Sequence, residues 1–581
     1  MPKSLALISE RVDDIPLLVE QMRQMNLAAL LNEHFVPHGN WQGLPPGELS
    51  VLWLTYILSE GDHRLNQVEA WVQEHLMTLR CCLSPAVRRL EASDDHLAHL
   101  LDLLSDDARW VRFEQACART LIRTYALAPS VNRVDSTSAS GYGTVTPGGL
   151  FQFGHSKDHR PDLPQVKINL ATLDPLGLPL VTTVVPGQAS DDPLYIPAIH
   201  QVQACLTQPG LTHIGDSKMG ALDTRAYIQH SGDYYLMPLA LVHVSAADID
   251  RRLAPVWRGQ QRLTTIYAPW EAAHGHREKI AVGLEWPETL TASVNGIECT
   301  WIERRFLIQS LSYATAQEKA LRARWAQAQQ ALEALNQRGR GHRRYPTPAL
   351  LQEAAQALVM HYAVDGLLKI TYHAQHTQRQ VRAYGTRPAR TEQVTDYQLR
   401  VHLPATALAH AIRRLGWRVY ATNQPARTLS LSQAVLAYRQ QYLEERGFGR
   451  LKGRALALTP LYLANDQRIT GLIRLLSLGL RVLTLVEFEL RRNLQTSQAK
   501  LEGLYAGQPK RATAHPTTEQ LLPAFKGITL TVWRTRASQQ SHISPLSPLQ
   551  RRILKLLKFP ATIYSRLERQ SLKLPPKMGE P

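Results

Sequence analysis

The segment Val131-Asn132-Arg133-Val134-Asp135-Ser136-Thr137 predicts a short β-strand that ends near a carboxylate and leads into a glycine-rich turn. Downstream of it, runs rich in Val, Ile, Leu and Thr alternate with helical patterns and turn residues. They predict, in chain order, strands at 165–173 and 178–186, a helix at 191–206, a strand at 211–216, a helix at 220–230 and a strand at 234–239. Strands and helices that alternate in this way are typical of an α/β domain.

This order of elements predicts a core with the ribonuclease H-like fold. In such a mixed sheet the first and fourth strands lie side by side, so Asp135 and Asp216, at the ends of these strands, are expected to converge. Two carboxylates held together repel each other unless cations bind between them, which makes the pair a candidate divalent-metal site. Two metal ions about 4 Å apart can activate the attacking oxygen and stabilise the leaving oxygen of a phosphoryl displacement.

A third carboxylate is predicted on the segment from Tyr438 to Lys452, which has the pattern of one continuous helix. Residues seven positions apart lie within about 20° of one line on a helix, so Tyr438, Glu445 and Lys452 share a face. Gln441 lies between them. We therefore predict Glu445 as the third metal ligand, because its neighbour Glu444 points about 100° away. The alternative is an exposed amphipathic helix with surface salt bridges.

Composition points to a polyanionic partner. The chain has 581 residues and a formal net charge of +17, and this excess of Lys and Arg favours binding to nucleic acid. Five cysteines without a zinc-binding spacing predict a reduced, intracellular protein. The most apolar segment, 473–488, is interrupted by Arg474, Arg481 and Glu487, so we interpret it as a core helix rather than a membrane span.

The predicted fold class is an α/β ribonuclease H-like catalytic core with a large β-rich insertion, preceded by an all-helical N-terminal domain. The patterns divide the chain into a helical DNA-binding or dimerisation domain (1–125), the first part of the core (126–240), the insertion domain (241–412), the second part of the core with the glutamate helix (413–495) and a basic C-terminal region (496–581). The insertion is predicted because a simple connection between core elements would be far shorter.

With both aspartates and the helix in place, the chain resembles the DDE transposases of bacterial insertion sequences, in the branch that has a Tyr-x2-Arg-x3-Glu-x6-Lys motif. Tyr438, Glu445 and Lys452 match the motif at the required spacing, and Gln441 stands where the motif has arginine. The segment 154–162, Gly-His-Ser-Lys-Asp-His-Arg-Pro-Asp, is similar to the hairpin after the first catalytic strand of this family. From the residues alone, that segment is either a His/Asp metal site or a polar hairpin beside the active site.

The resemblance implies cut-and-paste DNA transposition with two Mg²⁺ or Mn²⁺ ions as cofactors. Activated water would cleave DNA at the transposon end to release a 3′-hydroxyl, and that hydroxyl would attack target DNA. Members of this branch are similar in passing through a hairpinned transposon end. Tyr438, Gln441 and Lys452 would hold the 5′-phosphate side of the cleaved end, while Arg439 or Arg450 would compensate for the charge that is missing at Gln441.

The implied partners are double-stranded DNA, as transposon ends and as target, and a second copy of the chain in a homodimer around paired ends. The inserted domain would cover the flanking DNA. No membrane partner is expected, and the location would be cytoplasmic and nucleoid-associated. Three rival interpretations remain: a metal-dependent nuclease or resolvase of the same fold that never joins strands, a catalytically inactive DNA-binding descendant, and a purely structural helical protein.

Overall fold

The computed structural model describes residues 6–206, 208–240, 242–271, 277–337, 339, 341–402, 404–534 and 539–568. These residues form two compact units. The first consists of the described residues of Met1–Met237, Thr289–Trp301 and Ala437–Pro581, and the second of those of Pro238–Glu288 and Ile302–Leu436.

The strands, in chain order, are β1 (Ala6–Arg11), β2 (Val131–Ser140), β3 (Gln165–Leu173), β4 (Leu178–Pro186), β5 (Thr212–Gly215), β6 (Tyr234–Pro238), β7 (Thr264–Glu271), β8 (Arg277–Val294), β9 (Ile297–Ser310), β10 (Lys369–Val381), β11 (Arg390–His402), β12 (Trp417–Thr422), β13 (Thr529–Arg534) and β14 (Gln539–Ile543). The helices are α1 (Ile15–Gln24), α2 (Leu27–His34), α3 (Pro46–Glu60), α4 (Leu65–Glu74), α5 (Leu76–Cys82), α6 (Asp94–Leu104), α7 (Asp107–Thr124), α8 (Tyr195–Leu206), α9 (Leu222–His230), α10 (Ala246–Trp257), α11 (Leu311–Ala334), α12 (Pro348–His361), α13 (Ala405–Arg413), α14 (Leu431–Arg439), α15 (Tyr442–Lys452), α16 (Asp466–Thr496), α17 (Thr518–Leu521), α18 (Pro548–Leu556) and α19 (Thr562–Ser565).

The first unit contains the mixed sheet that the sequence predicts. Its strand order is β4-β3-β2-β5-β6, in which β2, β3 and β4 are antiparallel neighbours and β5 is parallel to both β2 and β6. All residues of β3 are buried, as expected for a strand near the centre of a sheet with both faces covered. The expectation that the first and fourth predicted strands lie side by side is confirmed by the pairing of β2 with β5.

Helix α16 is the central helix of the first unit. Among the described residues it alone is long and apolar enough to cross a membrane, but 94% of its most apolar window is buried inside the protein. Its charged side chains are paired there: Arg481 donates to Glu114 of α7 at 2.5 Å and to the carbonyl of Pro179 at 2.8 Å. The interpretation of 473–488 as part of a core helix agrees with this burial.

The N-terminal part is not all-helical as predicted. Helices α1 to α7 follow one another, but β1 precedes them and pairs antiparallel with β13 from the far end of the chain, next to β14. The basic stretch near the C-terminus forms α18, whose Ile553 and Leu556 are buried. Two further basic residues of the region 496–581, Arg569 and Lys573, lie outside the described residues.

The second unit is rich in long strands. Its sheet has the order β12-β9-β8-β7, with β12 antiparallel to β9 and β7 antiparallel to β8. A separate two-stranded antiparallel ribbon of β10 and β11 packs with α11 and α12 around a small apolar core that includes Leu332, Leu351 and Leu399. Two arginines of the basic segment 338–344, Arg338 and Arg340, lie outside the described residues.

Candidate active site

Asp135, within β2, and Asp216, directly after β5, lie at the same level of two neighbouring parallel strands. The last residue pair of the β2–β5 ladder is Val134 with Gly215, so the two aspartates occupy the next position on each strand. Asp216 then caps a short 3₁₀ turn, because its Oδ1 accepts hydrogen bonds from the backbone of Lys218 at 2.8 Å and from the hydroxyl of Tyr195 at 2.6 Å. The order of the strands therefore brings two distant carboxylates together.

The surroundings of Asp135 are those of a partly desolvated anion. Its Oδ1 accepts a hydrogen bond from the backbone of Ser136 at 2.7 Å and lies 3.4 Å from Nζ of Lys157. Burial raises the pKa of Asp135, the Lys157 ammonium and the Ser136 hydrogen bond lower it, and the negative charge of Asp216 raises it. The two aspartates thus act on each other electrostatically, as a shared cation site requires.

The hairpin segment 154–162 lies against β2. The backbone of Lys157 donates to Ser138 Oγ at 2.8 Å, and its ammonium contacts Asp135 and the carbonyl of Ser136. Asp158 accepts a hydrogen bond from the backbone of Ser140 at 3.0 Å and from Nζ of Lys452 at 2.6 Å. These contacts match the interpretation of a polar hairpin beside the active site.

The predicted continuous helix from Tyr438 to Lys452 is interrupted. Helix α14 ends at Arg439 and α15 begins at Tyr442. In the turn between them, four backbone amides bond three residues back, from Gln440 to Ala437, Gln441 to Tyr438, Leu443 to Gln440 and Glu444 to Gln441. This is 3₁₀ winding, which turns the chain by about 120° per residue instead of about 100°.

The tighter winding changes which glutamate faces the aspartates. Each 3₁₀ step adds about 20° to the rotation of an α-helical step, so the four such bonds turn Glu444 toward the direction that a straight helix would give to Glu445. Glu444 is 2% exposed, whereas Glu445 is exposed. Burial and the negative charge of Asp135 raise the pKa of Glu444 well above its usual value. No other described residue hydrogen-bonds to its Oε1.

Arg133 connects β2 to this turn. Its guanidinium, fully buried, pairs with Asp174 at 2.7 Å and donates to the carbonyl of Ala437, which is 304 residues away in sequence, at 2.7 Å. Ala437 lies at the start of the 3₁₀ segment. Sequence reasoning missed this residue, although a charged side chain two positions before Asp135 on a buried strand is the available signal.

The predicted DNA-contacting residues have different surroundings. Lys452 holds Asp158 and also donates to Thr137 Oγ1 at 2.9 Å. Tyr438 and Gln441 are half-buried at the turn, and Arg439 is exposed. The structure thus brings Lys452 to the hairpin beside Asp135, and it leaves Arg439 on the surface.

Arg450, predicted to contact DNA, is instead buried. It pairs with Glu487 at 2.5 Å and with Glu519 at 2.6 Å, and Glu487 also pairs with Arg446 and with Arg491. The acidic partners lie on α16 and α17, so this ionic cluster attaches α15 to the core. The spacing of Arg446 and Arg450 on one helix face was the signal for such a role.

The carboxylates of this site are the right type of ligand for a hard divalent cation, but their side chains are not gathered around one point. Within the described part of the chain, no three His, Cys, Asp or Glu side chains are grouped closely enough to hold a metal ion. The candidate donors are all carboxylate oxygens, the type that Mg²⁺ and Mn²⁺ prefer. Lys157 already neutralises part of the charge on Asp135, so a bound cation would compete with its ammonium.

Comparison with known proteins gives little further information. No family model matches the chain, and no curated protein matches it. Among solved structures, it is similar to a piggyBac transposase synaptic complex with hairpin DNA, determined by cryo-EM, with 7% sequence identity and a TM-score of 0.32 over 96% of this chain and 86% of that chain. A likeness of this size carries no statement about function.

Proposed function

We propose that this chain is a DNA transposase of the DDE class with a ribonuclease H-like core, which cleaves DNA at transposon ends and joins the ends to target DNA. The observation that carries the proposal is the side-by-side position of Asp135 and Asp216 after the last β2–β5 pair, with α15, which bears both Glu444 and Glu445, packed against β2. The net charge of +17 supports a nucleic-acid substrate.

Asp135, Asp216 and Glu445 would hold two Mg²⁺ or Mn²⁺ ions. When bound, such ions activate the attacking oxygen and stabilise the leaving oxygen of a phosphoryl transfer. Glu445 is the proposed third ligand because its side chain is exposed and therefore open to cations and DNA. Glu444, buried beside Asp135, is the alternative third ligand, and the test below separates the two.

The chain's own residues would position the DNA. In the first reaction a water oxygen bonds to the scissile phosphorus and the 3′-oxygen leaves, which yields a 3′-hydroxyl and a 5′-phosphate. In the second reaction that 3′-hydroxyl bonds to a target phosphorus and the target's 3′-oxygen leaves. Lys452, now paired with Asp158 at 2.6 Å, would exchange this partner for a DNA phosphate, alongside Tyr438 and Gln441. Arg439 would add a further phosphate contact from the surface.

Cleavage of end-labelled DNA tests the proposal. The substrate carries the terminal repeats that flank the coding sequence, and it is incubated with Mg²⁺, with Mn²⁺ or with EDTA. We expect nicking at the ends that needs metal, is lost in Glu445→Gln and persists in Glu444→Gln, which serves as the matched neighbour control. Loss in Glu444→Gln alone would transfer the third-ligand role to Glu444.

Two other outcomes would contradict the proposal as a whole. Binding of end DNA without cleavage in either metal would identify an inactive DNA-binding protein. Cleavage without any joining of the ends to a target plasmid would identify a nuclease.

A further inference from the structure

Two exposed tyrosines form a stacked pair at the end of β2. The rings of Tyr142 and Tyr462 lie with their centroids 5.5 Å apart and their planes 21° from parallel. Tyr142 is 58% exposed and Tyr462 is 75% exposed. Single exposed aromatic side chains are normal on a folded protein, but here two of them are stacked on each other while both stay open to solvent.

The backbone fixes the two rings beside each other. The amide of Tyr142 donates to the carbonyl of Leu461 at 2.9 Å, and the amide of Leu461 donates to the carbonyl of Ser140 at 3.0 Å. These bonds form a parallel bridge between Gly141 and Leu461. The pair is therefore built by the fold, because both main chains are held before any ligand arrives.

The turn beneath Tyr142 is also fixed. The buried ring of Phe151 fills the space under Gly141 and Gly143, and a Cβ added at Gly143 would lie 2.0 Å from this ring. Only glycine allows this close approach. The Tyr142 ring thus stands on a packed support, with its outer face in solvent.

A cation accompanies the aromatic pair. The guanidinium of Arg160 donates two hydrogen bonds to Asp162, at 2.9 and 2.7 Å, and Asp162 together with the Tyr142 hydroxyl raises the pKa of Arg160. Arg160 is exposed. An aromatic face next to an arginine combines the two features that bind single-stranded nucleic acid, a stacking surface for a base and a charge for its phosphate.

We propose that Tyr142 and Tyr462 form a stacking platform for an unpaired base of DNA, with Arg160 at the adjoining phosphate. The platform lies just past the end of β2, whose last residue, Ser140, stands five residues beyond Asp135, roughly 17 Å along the strand at about 3.3 Å per residue, so it would hold a strand away from the reacting phosphate. The inference rests on the proposed function insofar as it takes the substrate to be DNA.

Binding measured without metal separates this inference from the proposed activity. The full chain is titrated in EDTA with a fluorescently labelled single-stranded oligonucleotide and with its duplex. We expect the double variant Tyr142→Ala/Tyr462→Ala to bind the single strand about tenfold or more weakly and the duplex within about twofold of wild type. Tyr142→Phe/Tyr462→Phe should bind like wild type, since the rings remain.

Tyr384→Ala is the control variant, because Tyr384 is 88% exposed and lies in the second unit. Tyr384→Ala should change neither the affinity for the single strand nor the affinity for the duplex. Equal losses for single strand and duplex, unchanged single-strand binding in the alanine variant, or a change only in self-association seen by light scattering would each overturn the platform. If the platform result holds while the chain fails to cleave DNA, the transposase proposal falls and the platform stands.

Discussion

Replacing Arg133 should separate the stability of the core from the positioning of the active site. Arg133→Met removes the partner of Asp174, a buried carboxylate. Breaking a buried ion pair by removing one partner costs about 3–5 kcal/mol, because the other charge stays buried and unpaired. The first unit has about 400 residues, so at about 2.1 cal/mol/K per residue its unfolding entropy is about 0.8 kcal/mol/K. The expected fall in Tm is about 4–6 °C.

The double variant Arg133→Met/Asp174→Asn should recover at least half of that fall, because no unpaired carboxylate remains. It should still cleave end DNA about 100-fold more slowly than wild type, since the carbonyl of Ala437 has lost its donor and the turn before α15 is free to shift. Differential scanning fluorimetry and a cleavage time course measure the two effects. Arg89→Met, which breaks an exposed pair with Glu69, is the control and should shift Tm by less than about 1 °C.

An unchanged Tm in Arg133→Met, or cleavage at the wild-type rate by the double variant, would refute this role of Arg133.

Three further predictions concern charges in the first unit. Burial raises the pKa of Asp135 above 3.8. The favourable contribution of its carboxyl to folding is therefore present below pH 3.8 and is lost as the pH rises through the raised pKa. Asp135→Asn should raise Tm at pH 7.5 by more than at pH 4.5, and a lower Tm of this variant at pH 7.5 would contradict the prediction. Lys157→Met removes an ammonium 3.4 Å from Asp135. The Mn²⁺ concentration that gives half of the Mn²⁺-induced rise in Tm should then fall by about fivefold. An unchanged or higher concentration would argue against competition between Mn²⁺ and the Lys157 ammonium. Arg481→Met should lower the free energy of unfolding by about 3–5 kcal/mol in urea titrations, and adding Glu114→Gln should restore most of it; equal losses in the single and double variants would show that the pair is not the cause.

The core strands were predictable because their signals are local. Strands β3, β4 and β6 are short runs rich in Val, Ile, Leu, Thr or Tyr and bounded by turn residues, and the order of β2 to β6 alone implied that Asp135 and Asp216 would meet. Predicting that Asp135 and Asp216 lie close together required no long-range information beyond the order of the strands.

The turn before α15 was not predictable in the same way. Every residue from Tyr438 to Tyr442 is compatible with a helix, and the interruption coincides with the hydrogen bond from Arg133, a residue distant in sequence. A pattern of side chains therefore gave the spacing but not the rotation of Glu444 and Glu445. The burial of Arg450 was not predictable for a similar reason, because its acidic partners lie on other helices. The strand β1 was missed because β13, its partner, lies at the opposite end of the chain.

The joining of a pre-cleaved transposon end to a target plasmid is the measurement that tests the central claim most directly. The end duplex carries a free 3′-hydroxyl and a label, and the reaction is run with Mg²⁺ using wild type, Asp135→Asn and Asp216→Asn, each shown to be folded by its thermal transition. The account predicts labelled plasmid with wild type, none with either variant and none in EDTA. Joined product with both aspartates replaced, or no joined product with wild type in Mg²⁺ or Mn²⁺, would contradict it.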